Sequence, residues 1–290
     1  VKPNLLKISI FFLISLTIFV YKFSNIPHAD GQLKMYFLDV GQGDATLLQT
    51  PEDKLILVDG GPDGKVLMSQ LARFFPFGNC KLEAVVLTHP DSDHENGLLE
   101  VLKRCEVETV IANTEKCTLE NCVAFVGATR GSPAGGSRPA PTGATIDDIF
   151  QIGNVTLSVL NPPPYQDFSD SSTNDDSIVM DVEFNGFHAL LTGDAEKSTL
   201  DRIRRGDVYN ALKIDVLKVP HHGSFNNFDE AFWEAAKPEV AIVSVGQNSY
   251  GHPSPKVLSA VTAMGVKTLR TDEVGTIEVD VETSGNWKIP

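Results

Sequence analysis

The stretch His89-Pro90-Asp91-Ser92-Asp93-His94 follows directly on the apolar run Ala84 to Leu87 and Thr88. Four potential metal ligands fall within six residues at the end of a predicted strand. Carboxylates and imidazoles crowded together repel one another or lose hydration unless a cation is shared among them, and a divalent metal is the usual resolution. A solvated acidic loop carrying incidental histidines is the alternative, and the strand before the stretch speaks against it.

Working outward, the first half of the chain alternates strand and helix signals. Lys34 to Leu48, which contains Gly41-Gln42-Gly43-Asp44, and Leu55 to Val58 read as two strands with functional turns. Lys65 to Phe75 has helical spacing, as does Gly97 to Lys103 beyond the motif, and Thr109 to Ala112 is a short strand. Gly127 to Gly143 is rich in Gly, Pro, Ser and Ala and reads as a loop inserted within one domain. Strands are expected at 155–160, 178–183, 188–191, 214–219, 240–245, 266–269 and 276–281, and helices at 198–204, 230–236 and 255–264. The fold class is α/β.

Polar residues gather where these strands end. Asp194 closes an apolar strand after Gly193 and can bridge two cations through its two oxygens, while Asp59 sits between Val58 and two glycines, where it could cap a turn. His221 and His222 are adjacent; on an extended backbone they point opposite ways, so one can ligate metal while the other meets substrate. Lys218, on the strand before them, could neutralise an oxyanion or be an ordinary surface lysine. His252 is a last ligand or a substrate contact, and the backbone of residues 41–44 could approach an anion or simply turn.

These motifs together resemble the metallo-β-lactamase superfamily, whose His-x-His-x-Asp-His signature follows a strand. Asp91 stands where that signature has its second histidine. The His-x-Asp-x-Asp-His form looks like the extracytoplasmic hydrolase domain of ComEC-type DNA-uptake proteins and their stand-alone relatives. Leu38-Asp39-Val40-Gly41-Gln42-Gly43-Asp44, Leu57 to Gly61, Leu190 to Asp194, Leu217 to Ser224 and Tyr250-Gly251-His252-Pro253 agree with it, in order, from about Met35 to Val281. No histidine is found for the superfamily's third motif. Its place is taken by Ser172 to Ser177, which resembles the Asn-rich block of ComEC-like domains and contains Asn174.

The resemblance implies a four-layer αββα sandwich holding two divalent ions. The ligands it implies are His89, Asp91, Asp93, His94 and Asp194, with His221, His222 and His252 as later candidates. In one partition His89, Asp91 and Asp194 hold the first ion, and Asp93, His94, Asp194 and a later histidine hold the second. Such an oxygen-rich set would accept Mn²⁺ or Mg²⁺ as well as Zn²⁺. Asp93, Asp194 and Lys218 are the implied catalytic residues; Asp39, Gln42, Asp44, Asp59, Asn174 and Ser224 would support ligands or contact substrate. The implied chemistry is hydrolysis by metal-activated water, with DNA or another phosphodiester as substrate. Another hydrolase of the same fold, acting on a β-lactam, thioester or small phosphodiester, and a catalytically weak anchored binding module are the rivals.

Composition narrows the setting. The 290 residues are 42% hydrophobic and 21% charged, enough for a buried core. Asp and Glu outnumber Lys and Arg by 38 to 24, a formal charge of −14, which argues against a broad cationic surface for phosphate backbones. Residues 1–30 read as a signal peptide or membrane anchor with a linker, and residues 31–290 as the hydrolase domain. Ile8 to Val20 is uncharged between Lys7 and Lys22, and no small-x-small site follows, which favours an anchor. The remainder is expected outside the cytoplasmic membrane, and with at most one such segment the chain is not itself a channel. Four cysteines allow three disulfide connectivities or none; local spacing pairs Cys117 with Cys122 and leaves Cys80 with Cys105.

Overall fold

The computed structural model describes residues 5–24, 27–75, 78–113, 142–163, 173–206 and 213–290. Two mixed sheets pack face to face. The first contains, in chain order, β1 (Leu33–Phe37), β2 (Thr46–Gln49), β3 (Leu55–Val58), β4 (Lys81–Leu87), β5 (Glu106–Ala112), β6 (Thr142–Gly143), β14 (Ile277–Val281) and β15 (Trp287–Lys288), with spatial order β15-β14-β1-β2-β3-β4-β5-β6. The second, ordered β13-β12-β11-β10-β9-β8-β7, contains β7 (Ile149–Ile152), β8 (Val155–Asn161), β9 (Val179–Phe184), β10 (Phe187–Leu191), β11 (Val216–Lys218), β12 (Val240–Val243) and β13 (Lys267–Arg270).

Each sheet is antiparallel in one half and parallel in the other: β3 to β6 run parallel, as do β10 to β13. The parallel strands are buried on both faces, which is why they read as unbroken apolar runs. In β4, Ala84 and Val86 face the opposite sheet while Val85 and Leu87 face the helices α2 (Gly64–Leu71) and α3 (Ser92–Arg104). In β12, Val240 and Ile242 face inward, while Ala241 and Val243 join the layer of α4 (Lys197–Arg205), α5 (Glu230–Ala236) and α6 (Pro255–Ala263). Three apolar clusters therefore separate four layers, α-β-β-α, as the resemblance implied.

Several boundaries differ from expectation. Lys34 to Leu48 is a hairpin, β1 and β2, with the glycine turn between them. α3 starts at Ser92, inside the motif, rather than at Gly97; its first turn carries no apolar periodicity because those side chains face the site instead of the core. Thr142-Gly143, expected to end the long loop, pairs with β5 as an edge strand, and the rest of that loop lies outside the described residues. Edge strands β7 and β15, half exposed and short, carry too little alternation to be found by pattern. A short helix, α7 (Thr271–Val274), was also not expected.

Cys80 and Cys105 form a disulfide joining the start of β4 to the end of α3, while Cys117 and Cys122 lie outside the described residues. Residues Leu5–Ser24 form helix α1, whose described side chains, Phe11, Phe12 and Leu13 among them, are exposed. Among the described residues, no helix is long and apolar enough to cross a membrane.

Candidate metal centre

The centre lies where the parallel strands of both sheets end, the position at which α/β sheets open a crevice. From the first sheet, β4 runs into Thr88 and His89, and Asp91 is the N-cap of α3. Its carboxylate makes no capping bond, so it stays available at the rim. Asp93 and His94 occupy the first turn of α3, where the helix end favours the negative charge of Asp93. Close backbone contact sets this turn against the end of β3: Gly60 N–H donates to the His94 carbonyl (2.7 Å) and Gly97 N–H to the Gly61 carbonyl (2.9 Å). A side chain at Gly97 would strike the Gly60 carbonyl, so only glycine permits the approach.

That approach delivers Asp59. Its carboxylate accepts from Thr88 N–H (2.8 Å), from the Thr88 hydroxyl (2.7 Å) and from His94 Nδ1 (2.8 Å). The Thr88 oxygen, having donated its own hydrogen, faces His89 Nδ1 at 3.1 Å as an acceptor. On the second sheet, His222 Nδ1 donates to the Ser244 carbonyl (2.8 Å). In these three histidines the protein fixes the Nδ1 proton and turns Nε2 inward. His89, His94 and His222 Nε2 are all buried and satisfy no hydrogen bond among the described residues.

Asp194 is what they face. It follows β10 and Gly193, and its Oδ1 lies 3.2 Å from His94 Nε2 while its Oδ2 lies 3.4 Å from His222 Nε2. Asp93 Oδ2 lies 3.3 Å from His222 Nε2. Among the described residues, ligand atoms converge within 4.8 Å in four triads: His89, His94 and Asp194; Asp93, His94 and His222; Asp44, Asp59 and His94; Asp44, Asp194 and His222. Buried imidazole Nε2 atoms that satisfy no hydrogen bond and face buried carboxylates are the donor set of a divalent cation. The residues fit the group the fold implies.

Electrostatics agree. Burial works against the protonated forms of His94 and His222, yet Asp194 outweighs it in both, aided by Asp59 for His94 and by Asp44 for His222, and their pKa values rise well above the ordinary imidazole value. Burial likewise opposes ionisation of Asp194 and Asp44. His222, His94 and Lys218 overcome it and hold both carboxyls well below the usual carboxylate range. Asp194 draws positive charge to the Nε2 positions of His94 and His222, where a metal cation would take the place of protons.

The other sequence-predicted residues fall into four places. Lys218 is buried, not on the surface: its ammonium is held by Asp44, by Asp194 Oδ1 (3.5 Å) and by the Gly193 carbonyl (2.8 Å). His221, His252 and Asp91 line the mouth. Asp91 Oδ2 is 3.6 Å from His89 Nε2, and Oδ1 accepts from the Thr173 hydroxyl (2.9 Å), but Asp91 is in none of the four triads. His221 Nε2 is 3.7 Å from Asp194 Oδ2, and the His252 ring stands edge-on to the His221 ring, 5.5 Å between centroids. Asp39 and Gln42 stand apart from the cluster. Asp39 Oδ1 accepts from Gly41 N–H (3.4 Å), and Gln42 Oε1 accepts from Gly246 N–H (3.4 Å), tying the β1–β2 loop to the second sheet. Ser224 is buried at the end of the histidine turn, its N–H donating to the His221 carbonyl.

His221 and His222 are not on extended backbone. Both have positive φ, 46° and 51°, in the turn Pro220–Gly223, and this turn carries both rings toward Asp194. They differ in tautomer: His221 Nδ1 receives the amide N–H groups of Asn227 (2.9 Å) and Asn174 (3.3 Å), so its proton sits on Nε2. Burial lowers its pKa, with the neighbouring His222 also contributing and Asp194 opposing, which keeps the ring neutral. Thr88, Thr173, Asn227 and the Ser244 carbonyl were not picked out by sequence. Only Thr88, a hydroxyl next to a candidate ligand, gave any signal there. Glu95, also passed over, is buried in α3, and burial, helped by Asp91, pushes its carboxyl up to about 7.

The profile described as the metallo-beta-lactamase superfamily matches residues 38–247. The chain is 30% identical over 280 residues to ComE operon protein 3 of Bacillus subtilis, covering 86% of this chain and 33% of that protein. It is 28% identical over 268 residues to competence protein ComA of Neisseria gonorrhoeae, covering 91% and 34%. It thus spans about a third of the length of these relatives. Among solved structures, the metallo-beta-lactamase fold protein YhfI from Bacillus subtilis superposes with a TM-score of 0.56 at 12% identity, covering 89% of this chain and 100% of that one, a likeness of fold alone. With three buried Nε2 atoms converging on Asp194 at the strand ends of this fold, and with sequence similarity to these competence proteins, the chain belongs to the metallo-β-lactamase superfamily of metal-dependent hydrolases.

Proposed function

We propose that the chain is a phosphodiesterase that hydrolyses DNA at this centre, outside the cytoplasmic membrane. The observation that carries the reading is the donor set: Asp93 and Asp194 stand among the Nε2 atoms of His89, His94 and His222, a mixed nitrogen and oxygen site suited to Zn²⁺ or Mn²⁺. Divalent cations held by His89, His94, His222, Asp93 and Asp194 would supply the Lewis acidity that activates water as nucleophile and neutralises charge on the attacked phosphorus.

The chain's own residues do the rest. Asp59 and the Ser244 carbonyl keep protons on Nδ1 of His94 and His222, so that both present lone pairs. Lys218 touches no substrate; it holds Asp44 and Asp194 in register. His221 presents Nε2–H at the mouth as a neutral donor, placed to hydrogen-bond an oxygen on which charge develops during attack. The competence proteins among its relatives support DNA as the substrate class. Support for an extracytoplasmic setting comes from the Cys80–Cys105 disulfide, and for membrane attachment from the exposed apolar side chains of α1.

The test is turnover by protein loaded in turn with Mn²⁺, Zn²⁺ and Mg²⁺, on DNA, a β-lactam and a thioester, with metal content measured on the same samples. DNA cleavage is expected. Turnover of the β-lactam or thioester alone would assign another hydrolase, and fewer than one ion per chain after loading would make the chain a binding module.

A further inference from the structure

We propose that Tyr250 is a stacking platform for an unpaired base, placing a single-stranded nucleic acid at the metal centre. This rests on the phosphodiesterase reading above and concerns how the substrate is gripped. Tyr250 is 73% exposed, the most exposed large apolar side chain among the described residues. Its ring stacks on the His252 imidazole with centroids 5.8 Å apart and planes 30° from parallel. His252 in turn meets His221, whose Nε2 is 3.7 Å from Asp194. Two ring contacts thus connect the exposed face of Tyr250 to the ligand cluster.

The backbone beneath the ring is braced. One side chain, Asn248, braces the loop through four hydrogen bonds. Its Nδ2 donates to the Gly246 carbonyl (2.9 Å) and the His252 carbonyl (2.7 Å), and its Oδ1 accepts from the N–H groups of Tyr250 and His252 (both 3.1 Å). A protein that fixes the backbone under an exposed aromatic ring has already met the ordering cost that binding would otherwise incur. The chain's formal charge of −14 repels a polyanion at long range, so affinity for a strand has to come from short-range contacts such as ring on base. The adjoining loop repeats the pattern with a cation: Phe225 is 49% exposed, Lys256 Nζ lies 4.6 Å from its ring centroid, and Ser254 N–H donates to the Gly223 carbonyl, joining the two loops. Duplex DNA keeps its base faces stacked internally and offers Tyr250 nothing to stack on.

The experiment uses the full chain loaded with Mn²⁺ and compares wild type, Tyr250→Phe and Tyr250→Leu. Readouts are KM and kcat on a single-stranded oligodeoxynucleotide, turnover of the base-free diester methyl 4-nitrophenyl phosphate, and fluorescence anisotropy of a labelled strand and its duplex. Tyr250→Leu is expected to raise KM and Kd for the single strand about tenfold, while kcat and small-diester turnover stay within about twofold and Tyr250→Phe behaves as wild type. Duplex binding should not change. Unaltered single-strand KM and Kd in Tyr250→Leu would overturn the platform, as would a Tyr250→Phe variant as weak as Tyr250→Leu. Tyr250-dependent binding without cleavage would sink the phosphodiesterase reading and leave the platform standing; cleavage indifferent to Tyr250 would do the reverse.

Discussion

After β4, the first sheet offers His89, Asp91, Asp93 and His94 within six residues, whereas across the crevice Asp194, His222 and the Ser244 carbonyl come from the ends of three separate strands. The first group is one strand end and one helix turn, so a local rule can bring it together. The second depends on β10, β11 and β12 lying side by side in parallel register. The sides also differ in what they present. The first contributes candidate ligands and the carboxylate that orients them; the second contributes Asp194, the carboxylate the imidazoles face, its buried ammonium counter-ion and two adjacent histidines of opposite tautomer.

The hardest test of this division is Asp194, which both sides share. Asp194→Asn is expected to lower turnover about a thousandfold and to reduce bound metal, measured by single-turnover kinetics and elemental analysis. Retained activity would mean the second sheet supplies no bridging ligand. Next comes the histidine pair. His222→Ala should lose metal, while His221→Ala should keep its metal and lose about a hundredfold in kcat. Equal metal loss in both would erase the tautomer distinction. Within the first sheet, Asp59→Asn should weaken metal affinity about 10- to 100-fold by releasing the orientation of His94, read by competition with a chelating dye.

The smallest effect is on stability. His94 and His222 have raised pKa values in the metal-free fold, so their stabilising contribution is fully present below the ordinary value of 6.5. It is lost as pH rises from there through the folded values. Chelated protein should therefore melt at lower temperature as pH rises above neutrality. Metal binding strengthens over the same range because the ligands deprotonate, so the gap between chelated and loaded protein should widen. A gap that narrows with pH would contradict the ligand assignment of both histidines.

How far the site could be read in advance follows the same division. The apolar runs of β3, β4, β10 and β12 announced themselves because both their faces are buried. The polar cluster after β4 stood out because its donors are neighbours in sequence. The start of α3 at Ser92 did not, since its first turn faces the ligand cluster and lacks the periodicity that marks a helix packed on a core. Asp44 was read as a supporting residue and turns out buried among Lys218, His222 and Asp194. Its place comes from the packing of the β1–β2 loop on α3, where Asp44 N–H donates to the Asp93 carbonyl.

The sequence by itself determined the alternation of strands and helices, the dense ligand stretch His89 to His94 and the presence of Asp194 and the paired histidines at strand ends, because apolar patterns and neighbouring donors are local properties of the chain; the four layers were implied by the family resemblance. Only the tertiary structure decided that Lys218 is a buried counter-ion and that His222, not His221, turns a bare nitrogen to the centre. Both outcomes depend on which acceptor or donor meets each side chain from a distant part of the chain: Asp44 for Lys218, the Ser244 carbonyl for His222, and Asn174 with Asn227 for His221. A side chain's chemistry is written at its own position, but its protonation and reach are set by the partners that folding brings to it.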